Sequence, residues 1–187
     1  MSDIKEYYDP TVDSTLACYE ESYPAQTFLT TSAYRLDKIV LKLSRAYHPV
    51  PGGVLSVRLF ATTGGKPTGA ALADAAMSVS QLSITATWET FSMEKIALTT
   101  ATTYAIVVNS NNLGNPDRVA SWHGLETGVY AGGTAYTTAD DGDNWTDSGR
   151  DQAFKMYGND LDYCWCSKVD DTGKCTEIRN GCMEYQE

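Results

Sequence analysis

Three carboxylates fall close together in the stretch Thr138-Ala139-Asp140-Asp141-Gly142-Asp143-Asn144-Trp145. Hard oxygen ligands this near to one another suit a calcium ion, and Asp140, Asp141 and Asp143 are its candidate ligands. Their spacing departs from that of an EF-hand loop. The same residues also fit a purely structural turn of the form Ser/Thr-x-Asp-x-Gly-x-x-Trp. In that reading Asp140 accepts hydrogen bonds from turn amides, Gly142 allows a positive φ, and Trp145 packs beneath the turn.

Four of the five cysteines lie near the C-terminus, at Cys164, Cys166, Cys175 and Cys182. The turn signals Asp170-Asp171-Thr172-Gly173 and Asn180-Gly181 fall between them, so the segment reads as a small three-stranded meander. Such a meander is too small to hold a core and needs a staple. Four thiolates can hold a tetrahedral zinc ion. Two disulfides, each joining Cys164 or Cys166 to a later cysteine, do the same work. Zinc usually takes Cys-x2-Cys rather than the Cys-x-Cys found here. Cys18 is left over and reads as a small buried hydrophobe.

The aromatic residues are the other chemical candidates. Trp122, Tyr130 and Tyr136, with Asn111 and Asn112 beside them, can form a platform for sugar rings. Trp88, Trp145 and Asp117 are further members of that set. The competing reading places these rings in a protein core and its rim. Two histidines, His48 and His123, sit in no metal-binding motif. A pairing of His123 with a serine stays open, although Trp122-His123-Gly124 reads as a strand end. Glu89, Glu94 and Glu126 show no spacing that favours paired-carboxylate hydrolysis. No catalytic constellation emerges, and the expectation is a protein without enzymatic activity.

The elements that must position these groups are strands. Ile39, Leu41 and Leu43 alternate with Val40, Lys42 and Ser44, the period of a half-buried strand. Leu36 is out of phase with Ile39, which calls for a bulge near Asp37-Lys38. Leu55, Val57 and Leu59 alternate likewise after the turn Pro49-Val50-Pro51-Gly52-Gly53. Ala70 to Met77 has helical composition but reads as a loop leading into a strand. Phe91 and Met93 are followed by Ile96 and Leu98 in the opposite phase, as for a strand, a bulge and a continuing strand. Tyr104-Ala105-Ile106-Val107-Val108-Asn109 is continuously apolar and reads as a strand covered on both faces. Eight or nine short strands separated by Gly, Pro and Asn turns predict an all-β antiparallel sandwich of the jelly-roll kind.

Length and charge set the organisation. The chain has 187 residues, 42% of them hydrophobic, enough for one domain with appendages. No apolar run reaches the ~18–20 residues of a membrane helix, so membrane insertion is not expected. The first residues lack the basic and apolar regions of a secretory signal. The net charge of −10 is uneven: −5 over residues 1–24, +2 over 25–139 and −7 over 140–187. Such acidity disfavours nucleic acid as a partner. Three parts are expected: an acidic N-terminal arm over 1–24, the sandwich over 25–158 and a Cys-rich tail over 159–187.

Several stretches in order carry a resemblance. They are Leu36-Asp37-Lys38-Ile39-Val40-Leu41-Lys42-Leu43, the segment Val54 to Gly69 ending in Gly-Lys-Pro-Thr-Gly, and Thr103-Tyr104-Ala105-Ile106-Val107-Val108. Tyr130-Ala131-Gly132-Gly133 with Asp140 to Trp145, and Ala153-Phe154-Lys155-Met156-Tyr157-Gly158, complete the set. Residues 25–158 thereby resemble the jelly-roll module of bacterial variable-anchor surface proteins and phage structural proteins. The resemblance brings no catalytic residues with it. It implies a virion or extracellular setting, and that setting favours disulfides over zinc in the tail. The resulting expectation is a virus-particle decoration or fibre-type protein whose partners are other structural proteins or copies of itself. The rival expectation is a carbohydrate-binding or adhesion module that holds surface glycans.

Overall fold

The structure is a computed structural model and describes residues 2–19, 22–46, 53–111, 120–161, 168–169 and 175–177. The strands are β1 (Asp3–Tyr8), β2 (Ser14–Cys18), β3 (Tyr23–Leu29), β4 (Tyr34–Arg45), β5 (Val54–Thr63) and β6 (Lys66–Ser78). A 3-10 turn at Val79–Gln81 leads to β7 (Thr87–Ser92), β8 (Ala97–Leu98), β9 (Thr103–Asn111) and β10 (Ala120–Leu125). Then come β11 (Ala135–Thr138), β12 (Thr146–Asp147), β13 (Asp151–Gln152), β14 (Phe154–Asp160), β15 (Lys168–Val169) and β16 (Cys175–Glu177). No α-helix occurs among the described residues, and none is long and apolar enough to cross a membrane.

The pairing is nested. β2 pairs with β10, β3 with β9, β4 with β7, and β5 with β6, all antiparallel. That is one long hairpin rolled up. β10 also pairs with β4, and β9 with β5, so the rolled hairpin lies in two sheets. Sheet one runs β2–β10–β4–β7 and sheet two runs β3–β9–β5–β6. This is a jelly-roll β-sandwich. Later strands extend it. β14 runs beside β4 with β1 on its far side, β8 adds to β4, β13 lies along β10, and β11 and β12 extend sheet two from β3.

Burial explains the alternation. Ile39, Leu41 and Leu43 of β4 face Leu55, Val57, Leu59, Ile106 and Val108 across the sandwich, all fully buried. Each such side chain contributes roughly 1.5–3 kcal/mol. The bulge that the phase of Leu36 requires is present. Tyr157 pairs with Lys38 and Gly158 with Leu36, so Asp37 is skipped. Phase is restored, and Leu36 and Tyr34 join the core. The Trp88–Leu98 segment likewise breaks into β7 and β8, both on β4.

β9 is covered on both faces, from Tyr104 to Val108. Tyr104, Ile106 and Val108 enter the core, while Ala105 and Val107 face outward and are buried all the same. The β5–β6 hairpin supplies the outer cover. Its tip bends back across β9 and β3, so that a Cβ on Gly65 would lie 3.4 Å from the Tyr136 hydroxyl on β11. The bend comes at a bulge where Leu59 pairs with Ala73 but Ala61 pairs with Thr68. The Ala-rich segment at 70–77, expected as a loop entering a strand, is therefore strand throughout. As the edge strand of sheet two it leaves small side chains in solvent.

Residues 1–24 read in sequence as an arm or a lead-in strand able to fold back on the body, and within them β1 and β2 lie in sheet one. Tyr8, Leu16 and Cys18 point inward, and Glu6 is buried with its Oε1 accepting from Thr31 N (2.7 Å) and Thr31 Oγ1 (2.9 Å). Cys18 is a fully buried free thiol, and burial pushes its pKa up. In the tail, β15 and β16 pair antiparallel with Lys168 opposite Glu177. Cys164, Cys166 and Cys182 lie outside the described residues, and so does the side chain of Cys175. The choice between zinc and disulfides falls there too.

Candidate functional site

The acidic turn is built as a structural device. Asp140 Oδ1 accepts from Thr138 Oγ1 (2.6 Å) and Asn144 N (2.9 Å), and its Oδ2 accepts from Asn144 Nδ2 (2.6 Å). Asp141 has φ 58° and its Oδ1 accepts from the Tyr23 hydroxyl at 2.7 Å. Gly142 has φ +95°, and a Cβ there would touch the Trp145 ring at 3.6 Å. The oxygens of Asp140 are thus spent on the turn, and one of Asp141 is spent on β3. Among the described residues no group of three acidic, His or Cys side chains is gathered for a metal. Of the candidate calcium ligands Asp140, Asp141 and Asp143, the first two meet protein N–H and O–H donors in this turn.

These donors hold the Asp140 pKa below its ordinary value, the Thr138 hydroxyl first and Asn144 next. A depressed folded pKa means stability that is present above the unfolded value and lost as pH falls through the folded one. Asp140→Asn is therefore expected to lower the melting temperature near pH 7. The gap to wild type should close below the ordinary carboxylate range. Thermal melts across pH check this, and a gap that persists at low pH would refute the assignment.

Among the described residues, the rings expected to form a sugar platform lie apart. Trp122 faces the core and is fully buried, with its Nε1 donating to the Ala153 carbonyl at 2.8 Å. Alternation along β10 forces this, because Ala120, Trp122 and Gly124 share the inward face. Tyr130 precedes β11 and is wedged at the rim. Its ring lies 5.2 Å from Tyr8 and 5.5 Å from Phe154. Its backbone N–H donates to the buried Asp151 carboxylate at 2.7 Å. Burial pushes the Asp151 pKa up, against donors from Tyr130 N and Gln26. Tyr136 belongs to sheet two and meets the β5–β6 hairpin tip. Asn111 ends β9 in the same sheet, and Asn112 lies outside the described residues.

A different surface gathers rings and charges: the outer face of sheet one. Lys38, Val40, Lys42 and Ser44 are the outward residues of β4, between the buried Ile39, Leu41 and Leu43. On β14, Lys155 and Tyr157 alternate with buried Phe154, Met156 and Gly158. Register sets the neighbours. Ile4, Tyr157, Lys38 and Ser92 form one row, Tyr7, Lys155, Val40 and Thr90 the next, and Lys42 stands opposite Trp88 beyond it. Lys155 Nζ lies 4.0 Å over the Trp88 ring, Lys42 Nζ 5.6 Å from it, and Lys38 Nζ 4.5 Å over Tyr157. Lys155 also pairs with Asp9 at 2.9 Å. Tyr7 is 63% exposed and Ile4 48%. The outward phase of Lys38, Lys42, Lys155 and Tyr157 was readable in the sequence. Their adjacency to Tyr7 and Trp88 was not.

The same face holds Ser44 Oγ at 2.8 Å from His123 Nε2. Burial, then Lys42, lowers the His123 pKa. No carboxylate among the described residues bonds the ring's second nitrogen, so the pair lacks the orienting acid of a nucleophile–base system. Glu126 lies beyond β10, bonded to Arg150 at 2.8 Å, with β10 and β4 between it and Glu89 on β7. A cleft of about 170 Å³ near Arg150 is lined by Gly128, Tyr130, Gly133, Thr134 and Asp151. Its polar groups serve the hydrogen bonds that hold the β10–β11 loop. No family model matches the chain, and no curated protein matches it.

Proposed function

We propose that this chain is a non-enzymatic interaction module, a decoration or fibre-type protein of a phage-like virus particle that presents its jelly roll outward. Its partners are other structural proteins, copies of itself or surface glycans. The observation that carries the interaction reading is the outer face of sheet one. It is a broad, open strand surface on which exposed Tyr7 and Ile4 stand beside Tyr157, Trp88 and three lysines. Large exposed apolar groups set among polar ones mark contact surfaces. The sandwich beneath is a rigid mount, because the inward residues of the same strands form one continuous core. The particle setting draws on the motif resemblance over residues 25–158.

Carbohydrate binding or adhesion at a cell surface is the second reading, and the exposed rings favour it. Antibodies against the purified chain separate the two settings. Labelling of intact particles from the source culture is the expected result. Label confined to the cell envelope would overturn the particle setting in favour of adhesion.

A further inference from the structure

We propose that the outer face of sheet one binds an acidic polysaccharide, a uronate-bearing chain. The exposed ring of Tyr7 would take a sugar face, Tyr157 and Trp88 would hold Lys38 and Lys42 in place, and those lysines would take carboxylates. This deepens the reading of that face as the contact surface and rests on it.

Charge is the first support. The chain carries a net −10, yet this face holds Lys38, Lys42 and Lys155, of which Lys155 pairs with Asp9. Lys38 and Lys42 have no carboxylate partner among the described residues. Each instead rests against a ring, at 4.5 Å and 5.6 Å. Those contacts hold the ammonium groups in place before a ligand arrives, which lowers the ordering cost of binding.

Pattern is the second support. Across the pleat, rings and ammonium groups alternate: Tyr157 beside Lys38, Tyr7 beside Lys155, Trp88 beside Lys42. Neighbouring strands stand about 4.8 Å apart and same-face residues about 7 Å apart along a strand, the scale of a single pyranose. A uronate chain repeats in the same way, with apolar C–H faces between separated carboxylates. Protein interfaces, by contrast, are depleted of lysine and centre on buried anchors. Nucleic acid places a charge every ~1.7 Å of duplex, a density this acidic chain repels.

The test is titration calorimetry of the full chain with polygalacturonate, with neutral dextran and a DNA duplex as comparisons. Binding to polygalacturonate alone is expected, weakening as salt rises to about 0.5 M. Lys42→Gln and Trp88→Ala should each weaken it about tenfold or more. Lys66→Gln, an exposed lysine on β6 in the other sheet, should leave it unchanged. Melting curves check the folding of each variant, and Lys42→Gln decides if Trp88→Ala unfolds. Absence of polygalacturonate binding at low salt, tighter binding to DNA, or an unchanged Lys42→Gln variant would overturn the proposal. Incorporation of the Lys42→Gln chain into particles tells the two failures apart. If polygalacturonate is not bound but incorporation is lost, only the partner class falls. If incorporation is also normal, the face is not the contact surface.

Discussion

Trp122→Ala is expected to destabilise the chain by about 3–5 kcal/mol, the cost of removing a large buried aromatic. Trp122 is fully buried within β10, where that strand joins β2 to β4. The substitution empties a cavity at the centre of sheet one. It also strips the Ala153 carbonyl of its indole donor, at the break between β13 and β14. Trp122→Phe keeps most of the volume and loses the donor, so about 1–3 kcal/mol is expected. Urea unfolding of the three proteins checks both values. A mutant whose midpoint matches wild type would contradict the buried position. The result bears on glycan assays as well: binding lost in Trp122→Ala would report a damaged fold rather than a missing contact.

Gly133→Ala should cost about 3 kcal/mol or more, at the upper end of overpacking in a close-packed structure. β3 passes so close to Gly133 that an added Cβ would overlap the Thr27 carbonyl. Backbone must move, and the backbone in question is tied on both sides. Thr27 N donates to Thr134 O (3.0 Å), and Thr134 N donates to Thr27 Oγ1 (2.8 Å). At roughly 2–4 °C per kcal/mol for a chain of this size, a fall in melting temperature near 10 °C is expected. Gly64→Ala is the matched control. Nothing lies within 4 Å of its added Cβ, and only the cost of φ +59° remains, about 1 kcal/mol. Equal melting temperatures for the two variants would refute the close approach.

These two positions show how the residues singled out in the sequence divide. Tyr130-Ala131-Gly132-Gly133 and Thr138 to Trp145 stand out as motifs, and both prove to be joints of the fold. Gly133 lets β3 approach, Tyr130 caps the core rim, and Asp140 ties a turn. Their types mattered for local geometry, which is what a short motif encodes. The face with exposed rings and cations carries no motif. Its members come from β1, β4, β7 and β14, separated by up to about 150 positions, and only strand pairing makes them neighbours.

From the sequence alone came the class of fold, the strand phases and the bulge at Asp37. All three follow from a period of two and from turn residues, which are local properties. The acidic segment 1–24 escaped that reading because Glu6 and Ser14 occupy inward positions. Glu6 bonds to Thr31, and β1 and β2 pair with the distant β14 and β10, so nothing nearby in sequence announces them. Tertiary structure alone decided that Trp122 is core, that the β5–β6 hairpin covers β9, and that Lys42 meets Trp88. Each depends on which strand lies beside which, and on which face closes against the opposite sheet. Local periodicity marks the two faces of a strand but does not say which neighbours each face will meet.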